Sequence, residues 1–321
     1  MVVVAAVLLV LTLLAACTGG GDGDQAGDTA GSAPPAGTTA TSPGPAPAAD
    51  CALKAGRQQT LTLDVDGRER SYVVVVPDSY GSGRPLPMVM VVHGLGGTAE
   101  QILAYSRLPE FGRRDGFVVV APQSASAQRS WDFATAPDQP GSDSRFLVRL
   151  AEHAAQDPCL APDRQYLTGL SNGAAMTFAM ACFAAHDFAA YGAVAGAGYQ
   201  ADRCDDAPPA SFVYFHGTAD RIVPIAGGKT PLAPVQPLAR TLDAWAAHDG
   251  CAARPTVTET APDVELSRWR SCDAGARIDA YVVDGGGHTW PGSTRVPMLG
   301  ATTSQIDATE IMADFFGLNG S

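Results

Sequence analysis

Two stretches of this chain, residues 88–92 and 117–120, are apolar at every position. A strand with one wetted face alternates apolar and polar residues. A run that is apolar in both phases must be covered on both faces. Such runs belong to central strands of a parallel sheet between two helical layers, and few other folds accommodate them. The rest of the pattern agrees. Residues 61–64 alternate, Asp66-Gly67 is a hairpin signal, and residues 72–76 read as the returning strand. Further strands are expected over 165–168, 189–194, 211–215 and 278–283. Helices are expected over 143–155, with Asp143 as its cap, and over 172–183, 239–248 and 308–316. Short strands alternating with helices predict an α/β class, with a mainly parallel sheet and helices on both faces. No internal repeat is present.

The chain has 321 residues, enough for one large domain or two small ones. A hydrophobic share of 46% supplies a sizeable core. The net charge is −12, and lysine occurs only at Lys54 and Lys229. No basic stripe is available to neutralise phosphates, which excludes nucleic acid as the expected partner.

The organisation reads in three parts. Residues 1–17 are expected to be a lipoprotein signal peptide. Residues 2–14 are apolar but too short to span a bilayer. They end in Leu14-Ala15-Ala16-Cys17, which resembles a bacterial lipobox with Cys17 as the lipidated residue, although no basic residue precedes the run. Residues 18–49 are Gly, Ala, Pro, Thr and Ser with a few polar residues. Lacking large apolar groups, they cannot offset their ordering entropy and are read as a flexible tether. Residues 50–321 are read as the folded domain. The expected location is outside the cytoplasm, as a cell-surface lipoprotein or a secreted protein. The expected membrane contact is a lipid on Cys17, and no obligate protein partner is implied.

Beyond Cys17, six cysteines remain: Cys51, Cys159, Cys182, Cys204, Cys251 and Cys272. An even number in an exported chain predicts three disulfides. Cys251 with Cys272 is the favoured local pair, and the other pairings stay open. No C-x-x-C pair occurs, so no metal site is expected.

Gly169-Leu170-Ser171-Asn172-Gly173 matches G-x-S-x-G between an expected strand and an expected helix. The nucleophile must sit on a tight strand-to-helix turn, and the flanking glycines let the backbone close there. Ser171 is therefore the candidate nucleophile. In this architecture an acid and then a histidine follow in chain order. Asp220 lies in His216-Gly217-Thr218-Ala219-Asp220, directly after the 211–215 strand. Asp206, Asp243, Asp273 and Asp284 are weaker competitors. His288 lies in Gly285-Gly286-Gly287-His288-Thr289-Trp290-Pro291-Gly292 after the 278–283 strand, and is the candidate base. His248 is expected to be solvated, and His216 to be structural. His93-Gly94-Leu95-Gly96-Gly97 follows the 88–92 strand. Its Leu95 N–H, with that of Asn172, is the expected oxyanion hole, and His93 is expected to tie the loop down.

Together, the 93–97 loop, Tyr166-Leu167-Thr168-Gly169-Leu170-Ser171-Asn172-Gly173, the 216–220 segment and Gly287-His288-Thr289-Trp290-Pro291-Gly292 resemble the secreted polyhydroxybutyrate depolymerase and feruloyl esterase group. That group falls in carbohydrate esterase family one. The lipobox and tether resemble its lipoprotein branch. The resemblance implies an α/β-hydrolase fold, no cofactor, and hydrolysis of carboxylic esters outside the cell. The esters are feruloyl or acetyl esters of polysaccharide, or short hydroxyalkanoate esters. Arg129-Ser130-Trp131-Asp132-Phe133 resembles an aromatic patch beside the group's active site, and Trp131 and Trp290 are candidate pocket residues. The chain departs from the group at Ser142-Asp143, where a pair of aspartates is common. A serine peptidase of the same fold and a non-catalytic surface-binding lipoprotein are the competing readings.

Overall fold

Asp66 (φ 55°) and Gly67 (φ 73°) both adopt positive φ, the two-residue turn whose twist matches that of its flanking strands. They join β1 (Gln58–Val65) to β2 (Arg68–Val75) in an antiparallel hairpin. The computed structural model describes residues 50–132, 141–196, 198, 204, 207–230 and 234–319. The expected signal segment, Cys17, the tether, Phe133 and Asp206 lie outside these residues. The described residues fall in one unit, Ala48–Ser321.

After the hairpin come β3 (Leu86–Val92), α1 (Ala99–Ser106), α2 (Leu108–Asp115), β4 (Val118–Pro122) and α3 (Ser142–Ala155). Then follow β5 (Leu160–Leu170), α4 (Asn172–Phe183), β6 (Ala190–Val194) and β7 (Phe212–Gly217). A small hairpin of β8 (Gly228–Lys229) and β9 (Pro234–Val235) precedes α5 (Leu238–His248). The chain closes with β10 (Thr256–Ala261), β11 (Val264–Trp269), β12 (Ile278–Val283) and α6 (Ala308–Phe315). The main sheet has ten strands in the order β1-β2-β4-β3-β5-β6-β7-β12-β11-β10. The six central strands, β4 to β12 in that order, are parallel to their neighbours, and antiparallel strands flank them on both sides.

The apolar runs sit where double burial requires them. β3 is buried at all seven positions and β4 at all five. Met88, Met90 and Val92 face the layer formed by α3, α4 and α5. Val89 and Val91 face the layer formed by α1, α2 and α6. This is the two-residue alternation of a strand with both faces covered. Fully buried side chains such as Phe146 and Trp245 contribute about 1.5–3 kcal/mol each. Exposed ion pairs such as Arg145–Asp66 contribute about 0–1 kcal/mol. The two apolar layers therefore hold the fold.

One expected cap is corrected. Asp143 lies inside the first turn of α3, whose N-cap is Gly141. The Asp143 carboxylate is buried and turned inward to Arg70 at 2.5 Å instead of capping the helix. A carboxylate in the interior needs an opposite charge close by, which Arg70 supplies. The disulfides are Cys51–Cys159, Cys182–Cys204 and Cys251–Cys272, the last being the pair expected from the sequence. Each removes conformations from the unfolded chain, typically stabilising by about 2–4 kcal/mol.

Candidate active site

Parallel register brings three loops to one edge of the sheet. Leu170 pairs with Val194, Val194 with Phe215, and Phe215 with Tyr281. The segments leaving β5, β7 and β12 therefore emerge together, with only β6 between β5 and β7. These segments carry Ser171, Asp220 and His288. Ligand sites of open α/β sheets gather at this carboxyl edge.

Ser171 has φ 59° and ψ −116°, a strained conformation for a residue with a side chain. Its N–H donates to Val194 O at 2.8 Å, and its carbonyl accepts from Ala175 N at 3.1 Å, opening α4. The glycines explain how so sharp a turn closes. A Cβ on Gly169 would stand 2.4 Å from Gly173 O, and a Cβ on Gly173 would stand 2.3 Å from Val92 O. Neither position has room for a side chain.

Asp220 is buried and fully engaged. Its Oδ1 accepts from Ile222 N and Val223 N, both at 2.8 Å. Its Oδ2 accepts from His288 Nδ1 at 2.8 Å. Burial alone raises this carboxyl. The hydrogen bond and charge of His288, with the Val223 N–H, outweigh burial and hold it below the usual carboxylate range. A carboxylate only accepts, so Nδ1 of His288 carries a proton in either state of the ring, and the neutral imidazole presents a lone pair on Nε2. The imidazole loop is pinned by His288 N to Leu299 O (2.7 Å) and Gly287 N to Ala301 O (2.8 Å). Among the described residues no hydrogen bond joins Ser171 Oγ to His288. Such contacts often close only when substrate binds.

The 93–97 loop lies against Ser171. A Cβ on Gly94 would stand 3.3 Å from Ser171 Cβ and 3.9 Å from its Oγ. His93 is buried, and burial pushes its imidazole down to about 4, so it is neutral at ordinary pH. Nδ1–H donates to Gly94 O at 2.8 Å, and Nε2 accepts from Ser124 N at 3.3 Å. Gly97 N also donates to Gly94 O, at 3.0 Å. Gln123 supports the loop by placing its Nε2 3.2 Å from His93 Nε2 while its Oε1 accepts from Ala99 N at 3.0 Å. No sequence signal marked Gln123.

The remaining candidates are placed as follows. His216 is buried, its Nε2–H donates to Val223 O at 2.8 Å, and its Nδ1 lies 2.6 Å from the Tyr214 hydroxyl. His248 is a correction. It is held by Asp249 Oδ1 at 2.8 Å and Cys204 O at 3.1 Å, and is not solvated. Its helix face turns toward the buried Asp249, whose charge needs a partner. Of the competing acids, Asp284 accepts the Thr218 hydroxyl at 2.9 Å and Asp273 lies in a turn beside Asp249. The two tryptophans are interior, Trp131 at 4% and Trp290 at 1% exposure. Trp290 Nε1 donates to Thr309 at 2.9 Å, and Trp131 Nε1 donates to His93 O at 2.6 Å. They brace loops, and neither presents a free face.

Residues 70–221 match the family model described as Esterase PHB depolymerase. Feruloyl esterase D of Neurospora crassa is 25% identical over 246 residues, covering 72% of this chain and 77% of that protein. A putative esterase, NocK, of Nocardia uniformis is 26% identical over 278 residues, covering 78% and 80%. Among solved structures, an acetyl xylan esterase from Aspergillus awamori superposes with a TM-score of 0.62. It is 18% identical and covers 82% of this chain and all of that one.

The chain is a carboxylic ester hydrolase. It has the α/β-hydrolase fold that the family resemblance implied, with the mainly parallel sheet expected from its strand pattern, and its resemblance to the polyhydroxybutyrate depolymerase and feruloyl esterase group holds. The family match ends at residue 221, one residue past Asp220. The hydrolase's His288 loop therefore lies outside that match and is placed by the tertiary structure.

Proposed function

We propose that the hydrolase cleaves esters through an acyl-enzyme on Ser171. His288 Nε2 takes the Ser171 proton as the hydroxyl attacks the ester carbonyl, and returns it to the leaving alcohol. Water then attacks the acyl carbonyl, losing its proton to His288, which returns it to the Ser171 oxygen as the acid departs. Asp220 keeps the proton on Nδ1 and stabilises the imidazolium. The tetrahedral oxyanion is received by the N–H groups of Leu95 and Asn172. Support for Leu95 comes from the Gly94 carbonyl, which is occupied by His93 and Gly97. In a planar trans peptide the N–H of Leu95 points the other way. The observation that carries the reading is the buried Asp220–His288 hydrogen bond at the same sheet edge as the strained Ser171.

The relatives named as feruloyl esterases support a feruloyl ester as substrate, with acetyl and short hydroxyalkanoate esters as the competing classes. The three disulfides support an oxidising compartment. With the lipobox, they support export and a lipid anchor on Cys17.

The test is hydrolysis of p-nitrophenyl acetate and butyrate beside methyl ferulate, by the wild type and Ser171→Ala. Turnover of at least one ester is expected, falling by about 10³-fold or more in the variant. The ratio of the substrates selects the acyl class. A folded wild type that turns over peptide anilides but no ester supports the peptidase instead, and one that turns over neither supports a binding lipoprotein.

A further inference from the structure

Both proposed oxyanion donors are backbone N–H groups, and they come from separate segments. Leu95 sits in the loop after β3, and Asn172 is the first residue of α4, after β5. Two donors on independent loops stabilise one oxygen only if their separation is held to a fraction of an ångström. One residue outside both segments connects them. The backbone N–H of Trp131 donates to Asn172 Oδ1 at 2.8 Å, and its indole Nε1–H donates to His93 O at 2.6 Å. The Trp131 ring also packs on His93, centroid to centroid at 4.6 Å.

We propose that Trp131 and the Asn172 carboxamide are positioning residues that keep the Leu95 and Asn172 donors in register. This rests on the proposed role of those two N–H groups. The Asn172 side chain is not used as a helix cap, since Ser171 holds that position. Its oxygen is fixed toward Trp131 because a backbone N–H only donates. Trp131 is itself held from below. The next amide, Asp132 N–H, donates to Asp143 Oδ2 at 2.8 Å, and Asp143 Oδ1 is paired with the buried Arg70 at 2.5 Å. Two successive amides of the strap are thus pinned, one to the N-terminus of α4 and one to that of α3. The strap braces the hole without touching substrate. Its removal therefore disturbs the transition state, where the oxygen is charged, more than the ground state.

The test uses the whole folded protein and three variants, Asn172→Ala, Trp131→Phe and the double substitution. Asn172→Ala keeps its backbone N–H, and Trp131→Phe keeps an aromatic ring while losing the indole donor. For Asn172→Ala, kcat on p-nitrophenyl butyrate is expected to fall about 10- to 100-fold with KM within about twofold. Affinity for phenylboronic acid, whose serine adduct is tetrahedral and places an oxygen in the hole, is expected to weaken by a similar factor. Trp131→Phe is expected to lose about 3- to 10-fold by the same measures. The double variant is expected to lose less than the product, because both links act in series. A folded Asn172→Ala with kcat and boronate affinity within twofold of wild type overturns the proposal, and so does a loss confined to KM. Ser171→Ala separates the two readings. If it abolishes turnover while Asn172→Ala is unimpaired, the strap fails and the nucleophile stands. If Ser171→Ala retains turnover, the reading of the site fails first.

Discussion

Among the described residues of the esterase, two Asp–His pairs share the same short contact in different surroundings. Asp220 meets His288 Nδ1 at 2.8 Å, and Asp249 meets His248 Nδ1 at 2.8 Å. Around Asp220, backbone N–H groups and the imidazole satisfy both oxygens, and the carboxyl is held below its usual range despite burial. Around Asp249, burial dominates and pushes the carboxyl up, with nearby Asp273 adding to the shift. Its Oδ2 has no hydrogen-bond partner among the described residues. The imidazoles differ in the same sense. Nε2 of His248 is taken by Cys204 O at 3.1 Å. Nε2 of His288 has no hydrogen-bond partner among the described residues, which leaves its lone pair for chemistry. A close Asp–His contact is thus not sufficient for a base. The second nitrogen must be free and must face the edge where Ser171 lies. The His248 pair lies between the Cys182–Cys204 and Cys251–Cys272 disulfides in the chain and ties α5 to Cys204.

The sharpest break between the pairs is activity. Asp220→Asn is expected to lower kcat about 10³- to 10⁴-fold, because an amide no longer holds the proton on Nδ1. Asp249→Asn, read on the same p-nitrophenyl ester, is expected to stay within about twofold. An equal loss in the two variants would erase the distinction between base and staple.

A smaller effect concerns the surroundings of the staple. Replacing Cys251 and Cys272 together by serine removes a cross-link between residues 21 apart in sequence, at a cost of about 3 kcal/mol. Denaturant unfolding should show that loss, while kcat of the folded fraction stays unchanged.

The smallest effect is the pH dependence of stability, and its sign differs between the pairs. The folded pKa of Asp220 is lowered, so its contribution is present above the unfolded value of about 3.9 and is lost as pH falls through the folded value. The folded pKa of Asp249 is raised. Its charge therefore opposes folding increasingly as pH rises from about 3.9 through the folded value. Relative to wild type, Asp220→Asn should cost most stability at neutral pH and least in acid. Asp249→Asn should show its greatest relative gain at neutral pH and lose that gain in acid. Thermal midpoints measured from pH 3 to 7 check both slopes, and parallel slopes would contradict the contrast in surroundings.

Much of the scaffold was legible before any coordinates. Double burial forces an unbroken apolar run, so β3 and β4 stood out, and the expected 172–183 helix and 278–283 strand coincide with α4 and β12. The short helices α1 and α2 were missed. Each has eight residues, and the left-handed Arg107 (φ 59°) separates them, which breaks the apolar period. The box formed by Thr98 and Gln101 was the signal available for α1. Strand β10 was missed for the opposite reason, whereas β11 escaped although its Val264 and Leu266 alternate with exposed or half-buried positions. β10 is exposed along almost its whole length and carries no burial pattern to read.

By itself the sequence determined the class of fold, the tight turn at Ser171 and the residue types of the proposed nucleophile, acid and base in chain order. These are local properties, because apolar periodicity, glycine spacing and turn chemistry act over a few residues. Only the tertiary structure decided the strand order and the two disulfide pairings left open. It also decided which Asp–His pair has a free nitrogen, and that Trp131 reaches both Asn172 and His93. Those outcomes depend on groups 22 to 108 residues apart in the chain. No short-range pattern encodes such contacts, and those of the site form only when the parallel sheet brings its carboxyl ends to one edge.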